Sequence, residues 1–196
     1  MHLTGNRSSA TANRILLSVC CAPDATHSIN ALRESGWEPV AFFHNPNVHP
    51  FAEYQKRSKE MQRVAEAFNV VNIAKVPWDA GEWFKSVKQY AAEKEGGKRC
   101  ELCFMYRMEA GAKKAKELGI NIFTSTLTIS PHKNAKLINS LGKAAAEKYG
   151  IEYLETDLKK KDGFKISIEL SKQLSLYRQN YCGCSYSLLE SRKRFK

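Results

Sequence analysis

Short apolar runs separated by helix-length amphipathic stretches leave this chain few folds to choose from. Ile15–Cys20 (ILLSVC), Pro39–His44 (PVAFFH), Val70–Val76, Ile120–Ile129 (INIFTSTLTI) and Ile151–Thr156 read as strands. The first is apolar almost throughout, as in a strand buried on both faces. Between them lie five helical stretches: Ala25–Glu34, closed by Gly36; Phe51–Phe68; Glu82–Lys94; Cys100–Leu118; and Asn134–Tyr149, stopped by Gly150. In the second of these, Tyr54, Met61, Val64, Ala65 and Phe68 share one face; in the fourth, Met105, Met108, Ala112 and Ala115 do. Strands alternating with helical crossovers predict an α/β fold, one parallel sheet of about five strands with helices on both faces. Residues 1–13 are expected to form a polar extension and 14–196 a single domain. Asp157–Lys196 is expected to be a helical and loop appendage that folds back on the sheet, with a helix near Ile168–Tyr177.

Thirty-one Lys and Arg against twenty Asp and Glu give a net charge of +11. Such a field attracts polyanions, nucleic acid before an anionic membrane. No apolar run is long enough to span a bilayer, so no membrane association is expected. The N-terminal MHLTGNRSSATANR carries no apolar signal core. A cytoplasmic location is therefore expected, where thiols stay reduced.

All six cysteines come as close pairs: Cys20–Cys21, Cys100–Cys103 and Cys182–Cys184. Disulfides are disfavoured by the reducing compartment and by the strain of bridging adjacent residues. Cys100, Cys103, Cys182 and Cys184 could supply the four thiolates of a structural zinc site. That leaves Cys20 and Cys21 unexplained, at the carboxyl end of the first strand, where parallel sheets place their ligands. Iron uses more of them: Cys100 and Cys103 lie near a helix start after Lys98 and Arg99, a setting that favours thiolate, and six thiolates exceed the four one cluster needs. Asp24 is either an N-cap for the next helix or an oxygen ligand or proton donor.

His44, His49 and His132 fall at or beyond strand ends and are turn residues or site residues. Tyr177, Tyr181 and Tyr186 bracket the last cysteine pair and serve either base stacking or packing. Lys159, Lys160 and Lys161, with Arg192, Lys193, Arg194 and Lys196, form basic clusters suited to phosphate contacts or merely solvated. The first strand–helix turn reads CCAPD, without the glycines of a phosphate-cradling loop, so a nucleotide cofactor is not expected there.

LLSVCCAPD at Leu16–Asp24, FFHNPNVHP at Phe42–Pro50 with EYQKR after it, RCELCFMYRM at Arg99–Met108 and YCGC at Tyr181–Cys184 together resemble the cobalamin-independent epoxyqueuosine reductases (QueH type). The resemblance covers nearly the whole chain beyond the first dozen residues. It implies a Rossmann-like, nucleotide-hydrolase-like α/β fold with CCAPD at the phosphate-loop position. It also implies an oxidoreductase that removes the epoxide oxygen of epoxyqueuosine in tRNA, using a 4Fe–4S cluster beside a second metal ion, expected to be iron. Those metals would be held by these cysteines and Asp24. Within that set, Cys21, Cys100, Cys103 and Cys182 are assigned to the cluster, and Cys20, Cys184 and Asp24 to the second metal and the chemistry. Deoxygenation consumes two electrons and two protons, so an external electron donor is a further expected partner. The alternatives are an iron–sulfur tRNA sulfurtransferase, which would need ATP, and a zinc-stabilised RNA-binding module.

Overall fold

The computed structural model describes residues 13–73 and 78–194. The N-terminal extension therefore lies almost wholly outside the described residues, as do Lys196 and the side chain of Arg194.

Five parallel strands form one sheet: β1 (Arg14–Ser18), β2 (Glu38–Phe42), β3 (Asn72–Ile73), β4 (Ile122–Ser125) and β5 (Glu152–Tyr153), in the order β3-β2-β1-β4-β5. The register runs Leu16 opposite both Val40 and Phe123, and Ser18 opposite both Phe42 and Ser125. The strand order reverses at β1, so β1 and β4 flank the switch point of a doubly wound sheet. Ligand crevices form there, beyond the carboxyl ends.

Alternation along β1 sorts the core into two layers. Ile15, Leu17 and Val19 join Ile29 and Leu32 of α1 (Ala22–Glu34) and Met61 and Val64 of α2 (Phe51–Ala67). Leu16 faces the other way, onto Met108 and Ala112 of α4 (Lys98–Glu117) and Ile138 and Ala145 of α5 (Ala135–Tyr149). The sheet thus carries helices on both faces, as expected. The short α3 (Ala80–Val87) packs on α4. The C-terminal segment is an integral layer: α6 (Gly163–Gln173) lies along α1, and α7 (Ser185–Arg194) follows the last cysteine.

Several boundaries differ from expectation, each for a local reason. Strand β4 stops at Ser125, and Thr126–Ile129 turns into a 3₁₀ helix capped by the Ser125 hydroxyl, which accepts from the Leu127 N–H. The β-branched TLTI run looks extended, but pairing with β1 ends at Ser18 and no ladder remains to hold it. Helix α1 starts at Ala22, with Pro23 in its first turn, where a missing N–H costs nothing. Helix α6 begins at Gly163, five residues before the expected helix near Ile168. Helix α5 is as expected, capped by the Asn134 side chain and ended by Gly150 at φ +65°.

Candidate metal centre at the switch point

The CCAPD turn leaves β1 and enters α1 at the crevice. The N-cap of α1 is Cys21, in extended conformation, so Asp24 is not the cap; it lies in the first turn. Its Oδ2 lies 3.1 Å from Cys20 Sγ, and the Cys20 and Cys21 sulfurs are 4.0 Å apart. The ligand atoms of Cys20, Cys21 and Asp24 all fall within 4.8 Å of one another, a grouping able to hold a metal ion. Thr126, from across the switch point, fixes the turn: its Oγ1 accepts from the Cys20 N–H at 3.0 Å and lies 3.0 Å from Cys20 Sγ.

A cavity of about 50 Å³ opens against these groups, lined also by Asn47, Arg107, Lys133, Gln179 and Cys182. That is room for one ion with little else. A cavity of about 470 Å³ adjoins it, lined among others by Pro23, His132, Phe164, Arg178, Asn180 and Tyr181. The two share Asp24, Lys133, Gln179 and Cys182, so the larger, polar space leads to the sulfurs.

The remaining cysteines form the adjoining group. Cys103 and Cys184 are buried together with Trp83, whose indole N–H donates to Cys103 Sγ at 3.3 Å. Cys100 sits in the first turn of α4, where its sulfur accepts the Gly96 N–H at 3.2 Å. A thiolate at Cys182 would raise Cys100, Cys103 and Cys184 alike, and one at Cys184 would raise Cys103. Cys182 therefore faces both groups.

The YCGC loop carrying Cys182 and Cys184 is clamped by Arg57 of α2 and by the loop that precedes that helix. Arg57 of α2 is buried, ion-paired to Glu53 at 2.7 Å, and donates to the carbonyls of Cys182 (2.9 Å) and Tyr181 (3.2 Å). The His49 N–H donates to the Gly183 carbonyl at 2.8 Å, and the Tyr181 hydroxyl donates to the His49 carbonyl. Gly183 itself has φ +141°, a region nearly closed to other residues. The FFHNPNVHP, EYQKR and YCGC segments thus interlock. On the other side Arg99, also buried, pairs with Glu190 at 3.1 Å and ties α4 to α7.

Electrostatics divide the thiols. The Cys21 thiol, facing the Cys20 sulfur, holds Cys20 well below the usual thiol range. Burial opposes this, while Lys133, Arg107 and the Thr126 hydroxyl reinforce it. Cys21 moves the other way, raised by Cys20 and by burial, and burial likewise raises the Asp24 carboxyl. Burial pushes Cys103 up to about 12 and Cys184 up to about 11, and raises Cys100. Lys133 keeps its proton: burial works against the ammonium, but Cys182, Cys20 and Asp24 outweigh it.

The other singled-out residues are placed as follows. His44 lies stacked between Phe42 and Tyr106. His49 packs on Trp78, Trp83 and Phe84 with Nδ1 at 2.7 Å from the Asn47 carbonyl. His132 lines the larger cavity. The Tyr177 hydroxyl donates to Glu53, and Tyr186 lies beneath Arg99 and against Trp83, so both are packing residues here. Lys159 and Lys160 pair with Asp157.

The placing of His44 has a consequence for stability. Burial, with Arg107 and Lys114 adding, lowers it from 6.5 to about 4. Below pH 6.5 the unfolded chain binds a proton that the folded chain refuses, so stability falls as pH drops toward 4 and this loss ends there. The effect is about 3 kcal/mol at most. Urea denaturation across that range should show a steeper loss in the native protein than in His44→Phe, which keeps the stack. Equal slopes would refute the assignment.

The resemblance in the sequence now has its test. A family model described as epoxyqueuosine reductase QueH matches residues 15–190. The chain belongs to this family. Among its QueH relatives, an epoxyqueuosine reductase of Thermotoga maritima is 39% identical over 183 residues, 92% of this chain and 93% of that protein. One of Haemophilus influenzae is 41% identical over 182 residues, 92% of this chain and 74% of its own length. One of Streptococcus pyogenes is 39% identical over 178 residues, 88% of this chain and 69% of its own. The matched region of the QueH model includes all six cysteines, Asp24 and Arg57.

Proposed function

We propose that this chain is an epoxyqueuosine reductase, an oxidoreductase that removes the epoxide oxygen of epoxyqueuosine in tRNA. The observation that carries this reading is the gathering of Cys20, Cys21, Asp24 and Cys182 around one small cavity at the switch point, with the remaining thiols grouped on Cys182. The donor set fits a metal centre. Four buried or half-buried sulfurs suit an iron–sulfur cluster; two sulfurs and a carboxylate suit one further ion. Thiols held protonated by burial give up those protons to a metal. Asn47 and Arg107, whose Oδ1 and whose Nε and Nη2 are buried without partners, also line the cavity.

The geometry favours a division unlike the one expected from the sequence. We assign Cys100, Cys103, Cys182 and Cys184 to the 4Fe–4S cluster, and Cys20, Cys21 and Asp24 to the second ion, taken as iron. Cys21 and Cys184 thereby exchange places. Such a centre, when bound, supplies electrons one at a time and polarises an oxygen.

The chain's own residues do the rest. The larger cavity receives the modified nucleoside, with Phe164 offering an apolar ring and Arg178, Gln179 and Asn180 polar contacts. Lys133, common to both cavities, holds a proton at Nζ where substrate would meet the sulfurs. Reduction takes two electrons from an external donor and two protons, and releases water. The net charge of +11 suits a tRNA substrate, and a tRNA substrate suits a cytoplasmic location. No described helix is long and apolar enough to cross a membrane.

Iron and acid-labile sulfide should be found in anaerobically prepared protein, with an EPR signal after dithionite. Incubation with tRNA bearing epoxyqueuosine should then yield nucleoside lacking one oxygen. Zinc alone, with tRNA binding but no turnover, would instead mark a structural module. ATP-dependent sulfur transfer would mark a thiolating enzyme, against which the acidic first turn of α1 at the phosphate-loop position argues.

A further inference from the structure

Three arginines among the described residues are almost wholly buried: Arg57 at 2%, Arg99 at 2% and Arg107 at 3% exposure. A buried guanidinium is costly unless a negative group meets it. Arg57 has Glu53, with two loop carbonyls besides. Arg99 has Glu190, with the Ala91 and Glu93 carbonyls. Arg107 has no carboxylate partner among the described residues, and its Nε and Nη2 make no hydrogen bond. A fixed positive charge is thus held inside the molecule with two donor atoms unspent.

Its position says what answers it. Arg107 stands one helical turn after Cys103 on α4, on the same face. It lines the small cavity together with Cys20, Cys21, Asp24 and Cys182, and so borders both cysteine groups. Two cations, Arg107 and Lys133, line that cavity against one carboxylate, Asp24. The missing negative charge is supplied when the thiols become metal-bound thiolates.

We infer that Arg107 is the counter-charge of the metal centre, a positioning residue whose unspent guanidinium face compensates thiolate charge and raises the centre's reduction potential. The inference rests on the iron–sulfur reading above. Accepting one electron breaks no bond in the chain and leaves the centre one unit more negative. A nearby desolvated cation favours that reduced state. Arg107 touches no substrate in this role. Its work is to let the external donor reduce the centre.

The test compares native protein with Arg107→Met, which keeps the stem, and Arg107→Lys, which keeps the charge. Each is reconstituted anaerobically and titrated with dithionite against the EPR signal. Arg107→Met should carry the cluster at a more negative midpoint potential, with Arg107→Lys close to native. A loaded Arg107→Met at native potential overturns the inference. If Arg107→Met fails to load, Arg107→Lys decides: loading at near-native potential supports charge compensation, and failure alike overturns it in favour of shape. If the native protein itself holds no cluster after reconstitution, it is the iron–sulfur reading that has failed.

Discussion

Serine in place of Cys103 is expected to strip most of the iron and nearly all the acid-labile sulfide from the protein, while serine in place of Cys20 removes only the iron in excess of the cluster. Both should reduce turnover to background. Cys103 is packed among Trp83, Val87 and Cys184, and serine there offers a hard, poorly ionised oxygen where a soft thiolate is wanted. Cys20 belongs instead to the group with Cys21 and Asp24. Iron, sulfide and the EPR signal measured side by side separate the two cases. Equal loss of sulfide from both variants would reject the division argued above, and would place Cys20 among the ligands of the cluster.

Gly183→Ala should have the second large effect. The residue sits at φ +141°, and an added Cβ would lie 3.0 Å from both Arg57 Nη1 and Val48 Cγ2. Neither neighbour can give way freely, because Arg57 is pinned between Glu53 and the loop carbonyls. Backbone strain of about 1–3 kcal/mol should lower the melting temperature of the metal-free protein by about 2–10 °C. Displacement of Cys182 and Cys184 should remove most bound iron. Gly119→Ala is the control: Gly119 also has positive φ, but an added Cβ meets nothing within 4 Å. It should cost some stability and leave iron content intact. Iron retained in Gly183→Ala at the native level would mean that the loop tolerates movement.

The parts of this architecture that were legible in the sequence are those with long periodic signals. Helices α2, α4 and α5 lie within two residues of where apolar spacing puts them, and β1 and β2 follow from their continuous apolar runs. The shorter strands were legible in place and not in extent. Strands β3 and β5 fall within the expected runs Val70–Val76 and Ile151–Thr156 but span only two residues each, too brief for periodicity to fix their ends. Most of the expected third strand's remainder, residues 74–76, lies outside the described residues. Helix α7 is absent from the sequence reading because SYSLLESRKR has no sustained apolar stripe, and it is tied to α4 through the Arg99–Glu190 pair.

The site divides in the same way. Cysteines announce themselves by rarity and by pairing. Arg57, Arg107 and Lys133 do not, because charged side chains read as solvated surface until the fold shows them buried or half-buried. The i, i+4 spacing of Cys103 and Arg107 was one available signal, since it sets a cation beside a ligand on one helix face.

Residues from the turn after β1, the start of α4 and the loop before α7 are assigned to one centre, and this separation orders events in time. The proposed cluster cannot act as a nucleus around which the chain gathers, because no short stretch carries the four thiolates assigned to it. On the iron–sulfur reading the sheet and its two apolar layers form first, and iron enters a chain already folded. Such a protein can wait. It can persist as an intact but inactive pool in iron-poor cells, and regain activity on supply without new synthesis.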